Sequence, residues 1–72
     1  MRRFVLHRKE DVSGVSGIGD VAEGVQLQDG QCVLSWIGRL HNIEISPDLS
    51  TLIEIHGHGG KTIIAWLDPE VN

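Results

Sequence analysis

The dipeptide Asp29-Gly30 constrains the fold most, because it lies between two segments in which apolar and polar residues alternate. Asp-Gly is a common centre of a two-residue type I′ turn, in which both central residues need a positive φ. Alternation with period two puts successive side chains on opposite faces of a strand. We therefore predict a hairpin of strands 21–28 and 31–39, with one face of the second strand formed by Cys32, Leu34 and Trp36.

The remaining chain also favours strands. Fifteen residues are Val or Ile, against seven Leu and two Ala, and β-branched side chains suit a pleated, half-buried surface. We predict further strands at 4–8, 42–45, 52–56 and 62–67, with Ile43 and Ile45 facing inward. Ser46-Pro47 is typical of a helix start, which predicts one helical turn over 47–50.

A flat sheet of five or six short strands would leave long unpaired edges, and closure of the sheet removes them. We therefore predict an all-β fold: a small, strongly bent β-barrel of the Src-homology-3-like or related type. The barrel forms a single domain over residues 1–72. The alternative is a β-sandwich made by two copies of the chain.

Charge is unevenly distributed along the chain. The formal net charge is −4, yet residues 1–9 hold four of the six basic groups and no acid. We interpret this basic segment as an exposed edge strand whose charges discourage pairing with another chain. The acidic remainder argues against duplex nucleic acid as a partner. With no apolar run of about 18 residues and no signal-peptide core after Met1, we expect a cytoplasmic protein without membrane contact.

Four segments taken together resemble a known family. They are DVSGVSGIG at 11–19, VAEGV at 21–25, IHGHGGKT at 55–62 and WLD at 66–68. The pattern is similar to that of very short proteins of actinobacteria and of the phages that infect them. The resemblance implies a phage or bacterial cytoplasmic setting, and it implies no catalytic activity and no cofactor.

The glycine-rich segment is the first candidate site. Its main-chain N–H groups and hydroxyls are typical of an anion-binding concavity. No Gly-Lys-Ser/Thr follows it and no helix pattern follows it, so it is neither a phosphate-binding loop nor a dinucleotide fingerprint. The alternative interpretation is a plain irregular turn. The candidate ligand-binding residues here are Ser13, Gly14, Ser16, Gly17 and Gly19.

The second candidate site is the segment 56–62. Histidines two residues apart on a strand point to the same side, so His56 and His58 together with Lys61 would hold a phosphate or a carboxylate. A His-x-His pair alone leaves tetrahedral zinc incomplete, so we predict no metal here. The alternative is a glycine-rich hairpin with exposed histidines. Arg39, after the third strand, could add a bidentate clamp.

Two functions follow from these features. The first is a non-catalytic binding protein that captures a phosphate-bearing small molecule, such as a nucleotide signal, where the glycine-rich loop meets the histidine segment. It would work as a homo-oligomer, because the third and last strands are apolar on both faces. The alternative is a protein–protein interaction module or phage-encoded inhibitor that uses the acidic surface. No base, nucleophile and orienting group stand out together, so we expect neither an enzyme nor a cofactor.

Overall fold

The computed structural model describes residues 1–9, 18–38 and 42–70. They form five strands, a short helix and a 3-10 turn. The elements are β1 (Arg2–Arg8), β2 (Gly19–Gln26), β3 (Cys32–Trp36), β4 (Ile43–Ser46), α1 (Leu49–His56), the turn His58–Gly60 and β5 (Thr62–Trp66). No helix within the described ranges is long and apolar enough to cross a membrane.

The five strands form one antiparallel sheet in the order β4-β3-β2-β1-β5. Strands β1 to β4 follow one another as a meander, and β5 returns beside β1 after the 3-10 turn. Strands β4 and β5 are the two edges of this sheet. The structure therefore confirms the predicted small all-β fold.

The interpretation of β1 as an exposed edge is wrong. The strand lies inside the sheet, with β2 on one side and β5 on the other. Its register with β5 runs from Phe4 opposite Trp66 to Arg8 opposite Thr62. The local charge pattern could not show this, because the pairing joins segments almost 60 residues apart in the chain. Charge on β1 therefore serves specific contacts rather than protection of an edge.

The core lies on one face of the sheet, under α1. Its members are 0–2% exposed, and they come from four elements: Phe4, Leu6, Val21, Ala22, Cys32, Leu34 and Leu52. The Phe4 ring meets the Trp66 ring edge to face, with centroids 5.4 Å apart. A Cβ on Gly24 would lie 2.6 Å from the tip of the Phe4 ring, so the packing of this ring requires glycine at position 24. The prediction that Cys32 is a small buried hydrophobe is confirmed, and burial raises the pKa of its thiol.

The predicted hairpin is confirmed, but its turn type is different. The Leu27 N–H donates to the Gln31 carbonyl at 2.7 Å, and the Gly30 N–H donates to the Leu27 carbonyl at 3.0 Å. These bonds enclose the three residues 28–30. Only Gly30 has a positive φ (+96°), while Asp29 does not. The loop is therefore a three-residue turn with a glycine bulge. Asp29 instead accepts from the Gln31 main-chain and side-chain N–H groups, which lower its pKa.

The predicted inward direction of Ile43 and Ile45 is also wrong. These side chains are 64% and 67% exposed, whereas Ser46 is buried. The register sets this orientation, because core residue Leu34 pairs with Glu44, and directly opposed residues share a face. Ile43 and Ile45 therefore lie on the outer face of the sheet.

The segment 52–56 is helical rather than a strand. Asp48 caps α1 by accepting from the Thr51 N–H at 2.7 Å, and this contact lowers the pKa of Asp48. Leu52 is 1% exposed and Leu49 packs against the same core, which is the i, i+3 spacing of a helix face. The β-branched Ile53 and Ile55 point outward. Capping and burial thus outweigh β propensity here, and the helix extends well beyond the predicted turn at 47–50.

Candidate anion-binding site

Three strand ends meet at one end of the sheet. Gly19 at the start of β2 pairs with Arg8 at the end of β1, and Arg8 pairs with Thr62 at the start of β5. The Lys9 N–H donates to the Lys61 carbonyl at 2.7 Å. Most of the glycine-rich segment lies outside the described residues, which end at Lys9 and resume at Ile18. Lys9 and Gly19, on either side of it, therefore lie within about two strand spacings, roughly 10 Å, of the start of β5.

A buried arginine stands at the centre of this end. Arg8 is 3% exposed, and its Nε donates to the Thr62 hydroxyl at 3.0 Å. Thr62 is itself 5% exposed. Among residues 1–9, 18–38 and 42–70, no carboxylate forms an ion pair with this guanidinium. Burial of a guanidinium costs several kcal/mol unless an anion or a hydrogen-bond network compensates. No buried side-chain nitrogen or oxygen among the described residues lacks a hydrogen-bond partner, so hydrogen bonds compensate this burial. Arg8 thus places a positive charge with planar donors at this sheet end.

The segment 57–61 forms an ordered turn beside Arg8. The Thr62 and Gly60 N–H groups both donate to the Gly57 carbonyl at 3.0 Å. A Cβ on Gly57 would lie 2.5 Å from the Ile53 carbonyl oxygen, so the tight exit from α1 requires glycine. His58 has a φ of +48° and is exposed. Such a conformation is uncommon for a residue other than glycine, and it persists where the surrounding structure holds the backbone in place.

His56 does not take part in this turn. Its Nε2 lies 2.5 Å from a Glu44 carboxylate oxygen, and its ring meets Trp36 edge to face at 5.0 Å. It ends a helix, whereas His58 lies in the 3-10 turn, so the predicted strand that would put both histidines on one side does not exist. His56 connects α1 to β4 and lies about 16% exposed. His56 is therefore not part of the candidate site.

The remaining predicted site residues divide into two groups. Gly19, His58 and Lys61 lie at the sheet end described above, so the structure brings together the described parts of both predicted loops. Gly19 has a φ of +90°, which allows the chain to enter β2. The other predicted site residues lie outside the described part of the chain: Ser13, Gly14, Ser16, Gly17 and Arg39.

The basic residues at the opposite end of β1 already have partners. Arg3 forms a bidentate contact with Asp68, at 2.7 and 3.0 Å, and its hydrogen bonds lower the pKa of Asp68 to about 2. The Arg2 guanidinium lies 3.6 Å from the centroid of the Trp66 ring. Six residue steps, roughly 20 Å of strand, separate Arg2 from Arg8. The two ends of β1 are therefore electrostatically different.

Sequence analysis missed Arg8 and Thr62 as site residues. Arg8 had a signal, because it follows Phe4 and Leu6 at steps of two and so shares the face of two apolar residues. A charged residue in phase with core positions is unusual and suggests a buried, partnered group. Thr62 had no such signal, since only the β1–β5 register places it against Arg8.

Three comparisons with known proteins complete the description. The fold and the sheet end define a small antiparallel β protein with a buried arginine at one end of its sheet. The chain belongs to the family described as Acb5 phage protein, which matches residues 1–68. It is therefore a phage protein, as the resemblance of its motifs implied. No curated protein and no solved structure matches the chain.

Proposed function

We propose that this protein binds a phosphate-bearing small molecule, such as a nucleotide signal, at the sheet end around Arg8. The observation that supports the proposal most is the buried Arg8 guanidinium, which donates to the Thr62 hydroxyl beside the turn 57–61. A guanidinium is the side chain best suited to a phosphate, because its planar donors bond two oxygens at once. The protein binds this ligand without transforming it, and the working unit contains more than one copy of the chain.

The charge distribution supports a compact anion rather than a long one. Arg8, Lys9 and Lys61 gather at this sheet end, whereas the chain as a whole carries a net charge of −4. An acidic surface repels an extended polyanion, but a local cationic site still attracts a small one. The acid nearest along β2 is Asp20, and His7 contacts its carboxylate at 3.0 Å.

The turn at 57–61 supplies a second part of the site. Three consecutive residues, His58 to Gly60, have positive φ values. The Gly60, Lys61 and Thr62 N–H groups donate to carbonyls within the turn, so these three groups are not available to an anion. The His58 side chain is exposed, and its ring N–H can donate a hydrogen bond to an anion.

Calorimetry tests the proposal, with inorganic phosphate, nucleoside monophosphates and cyclic dinucleotides as probes. We expect one class of probe to bind more tightly than about 1 mM, which corresponds to roughly −4 kcal/mol. Lys61→Ala and His58→Ala should weaken that binding. The matched control is Arg3→Ala, which removes one positive charge at the far end of β1 and should leave the affinity unchanged.

Arg39→Ala and Arg8→Lys extend the same experiment. Arg8→Lys keeps the charge but removes the planar fork, so it should lose more affinity than Lys61→Ala. Arg39→Ala tests the predicted clamp directly. Absence of binding by every probe, or an equal loss in Arg3→Ala, would contradict the proposal and favour the interaction-module alternative.

A further inference from the structure

The outer edge of β4 is only partly protected: the strand is short and Glu44 points inward, but lysine, proline and a bulge are absent. Strand β4 ends the sheet, and no described residue pairs with its outer side. Its sequence, Ile-Glu-Ile-Ser, contains neither lysine nor proline, and its register with β3 has no bulge. Natural sheets use lysine, proline or a bulge to prevent an edge from pairing with another chain. The β4 edge is therefore competent to add a strand.

The exposed isoleucines also carry the free main-chain groups. The Trp36 N–H donates to the Asn42 carbonyl at 3.1 Å, so this pair is hydrogen-bonded across β3 and β4. Hydrogen-bonded pairs alternate along an antiparallel ladder. Glu44 therefore also directs its main-chain groups toward β3, whereas Ile43 and Ile45 direct theirs outward. The same two residues have side chains that are 64% and 67% exposed.

We propose that β4 pairs antiparallel with β4 of a second copy of this chain, about a two-fold axis at Glu44. Ile43 of one copy then lies opposite Ile45 of the other, and the two pairs exchange four main-chain hydrogen bonds. Centring the axis on Ile45 would put Ile43 opposite Pro47, which has no N–H to donate. The register at Glu44 is thus the one that satisfies both isoleucines.

Charge on β4 is compatible with a second copy. Glu44 is its only charged residue, and the axis places it opposite Glu44 of the other copy, where like charges repel. Each of these carboxylates contacts the His56 ring of its own copy on the inner face, which offsets that repulsion. The outward edge itself is uncharged, so two chains of net charge −4 approach each other through a neutral strand. This complementarity of the edge with itself favours a second copy over a charged partner.

The other edge of the sheet, β5, is partly covered. The Thr62 N–H is bonded to the Gly57 carbonyl, and Arg2 lies over the Trp66 ring. Ile64 adjoins the end of α1, where it lines a small gap with Ile53 and His56. A head-to-tail assembly of β4 on β5 would displace these contacts, whereas pairing of β4 with β4 displaces none of the contacts described.

The β4–β4 contact gives a geometry for the oligomer of the proposed function, and it forms without the ligand. Light scattering at about 100 µM protein suits the measurement, because a short strand pair is smaller than the standard interface of about 800 Å² per partner. We expect the wild type to have the mass of two chains and Ile45→Lys the mass of one. The matched controls Ile63→Lys and Leu67→Lys introduce the same charge at exposed outer-face residues of the β5 region and should remain dimeric.

Disulfide trapping tests the register. Residues on the axis form a pair without hydrogen bonds, with Cα atoms about 4.5 Å apart, which is within disulfide range. We expect Glu44→Cys to form a covalent dimer on mild oxidation and Ile63→Cys to form none. Native Cys32 is 0% exposed and does not compete.

The inference is overturned by a monomeric wild type, by a dimeric Ile45→Lys, or by the absence of a covalent dimer from Glu44→Cys. Loss of the dimer in Leu67→Lys as well would assign the contact to the outer face rather than to the edge, and would also overturn it. A monomer that binds a phosphate-bearing probe contradicts this inference and the proposed oligomer, and leaves the ligand proposal standing. A dimer that binds no probe contradicts the ligand proposal alone.

Discussion

The strained conformation of His58 gives a prediction that separates function from stability. At a φ of +48°, this residue lies in the left-handed region, which costs an L-residue roughly 1–2 kcal/mol. Replacement by glycine removes that cost but adds about 0.5–1 kcal/mol of unfolded-chain entropy. His58→Gly should therefore raise the free energy of unfolding by up to about 1.5 kcal/mol. For a domain of this size, that is a rise in Tm of up to about 12 °C.

Urea and thermal unfolding measure this effect, and calorimetry with the best phosphate-bearing probe measures its functional consequence. We expect His58→Gly to be more stable than the wild type and to bind the probe less tightly. Gly59→Ala is the matched control, because Gly59 has a φ of +64° and open space where a Cβ would stand. Alanine there should lower stability through backbone strain alone. A less stable His58→Gly would refute the reasoning, because the side chain would then stabilise the turn.

The remaining predictions concern the fold. Gly24→Ala should lose about 1–3 kcal/mol of stability by urea unfolding, because its Cβ would overlap the buried Phe4 ring; unchanged stability would contradict the assigned core packing. Wild type should be more stable than Asp68→Asn above about pH 4, and this advantage should shrink as the pH falls through about 2, because Arg3 lowers the pKa of Asp68 in the folded state; an undiminished advantage at pH 2 would contradict this. The Cys32 thiol should react with a thiol reagent at pH 8 only as the protein unfolds, and rapid reaction of the folded protein would contradict its burial.

Local patterns predicted the strands well. Alternation placed Cys32 and Leu34 on the buried face of β3, and Asp29-Gly30 located the hairpin. The turn type was not predictable from the dipeptide alone, because Asp-Gly suits both a two-residue turn and a three-residue turn with a glycine bulge. In the structure only Gly30 needs the positive φ.

Features that depend on long-range pairing were not predictable in the same way. The direction of Ile43 and Ile45 follows from the β3–β4 register, in which Glu44 lies opposite Leu34. The isoleucines around residue 54 suggested a strand, whereas the Asp48 cap and the burial of Leu52 produce a helix. Tertiary context commonly outweighs β-branched propensity in this manner.

The candidate site itself stays a prediction, but described residues of its two segments, Gly19 and Thr62, flank Arg8 in the sheet. Its central residue was not predicted, because the basic N-terminal segment was interpreted as one solvated unit. The residues of this basic segment have different surroundings: Arg3 contacts Asp68 at the surface, whereas Arg8 lies in the interior.

An NMR titration tests the central claim most directly, because it reports where a ligand binds as well as whether it binds. The experiment adds a cyclic dinucleotide to the labelled wild-type protein and follows the main-chain amides. The account predicts shifts of the amides at the sheet end, among them Gly19, Lys61 and Thr62, with the hairpin turn at Asp29 unchanged. Shifts confined to the hairpin end, or no shifts with any phosphate-bearing probe, would contradict the claim.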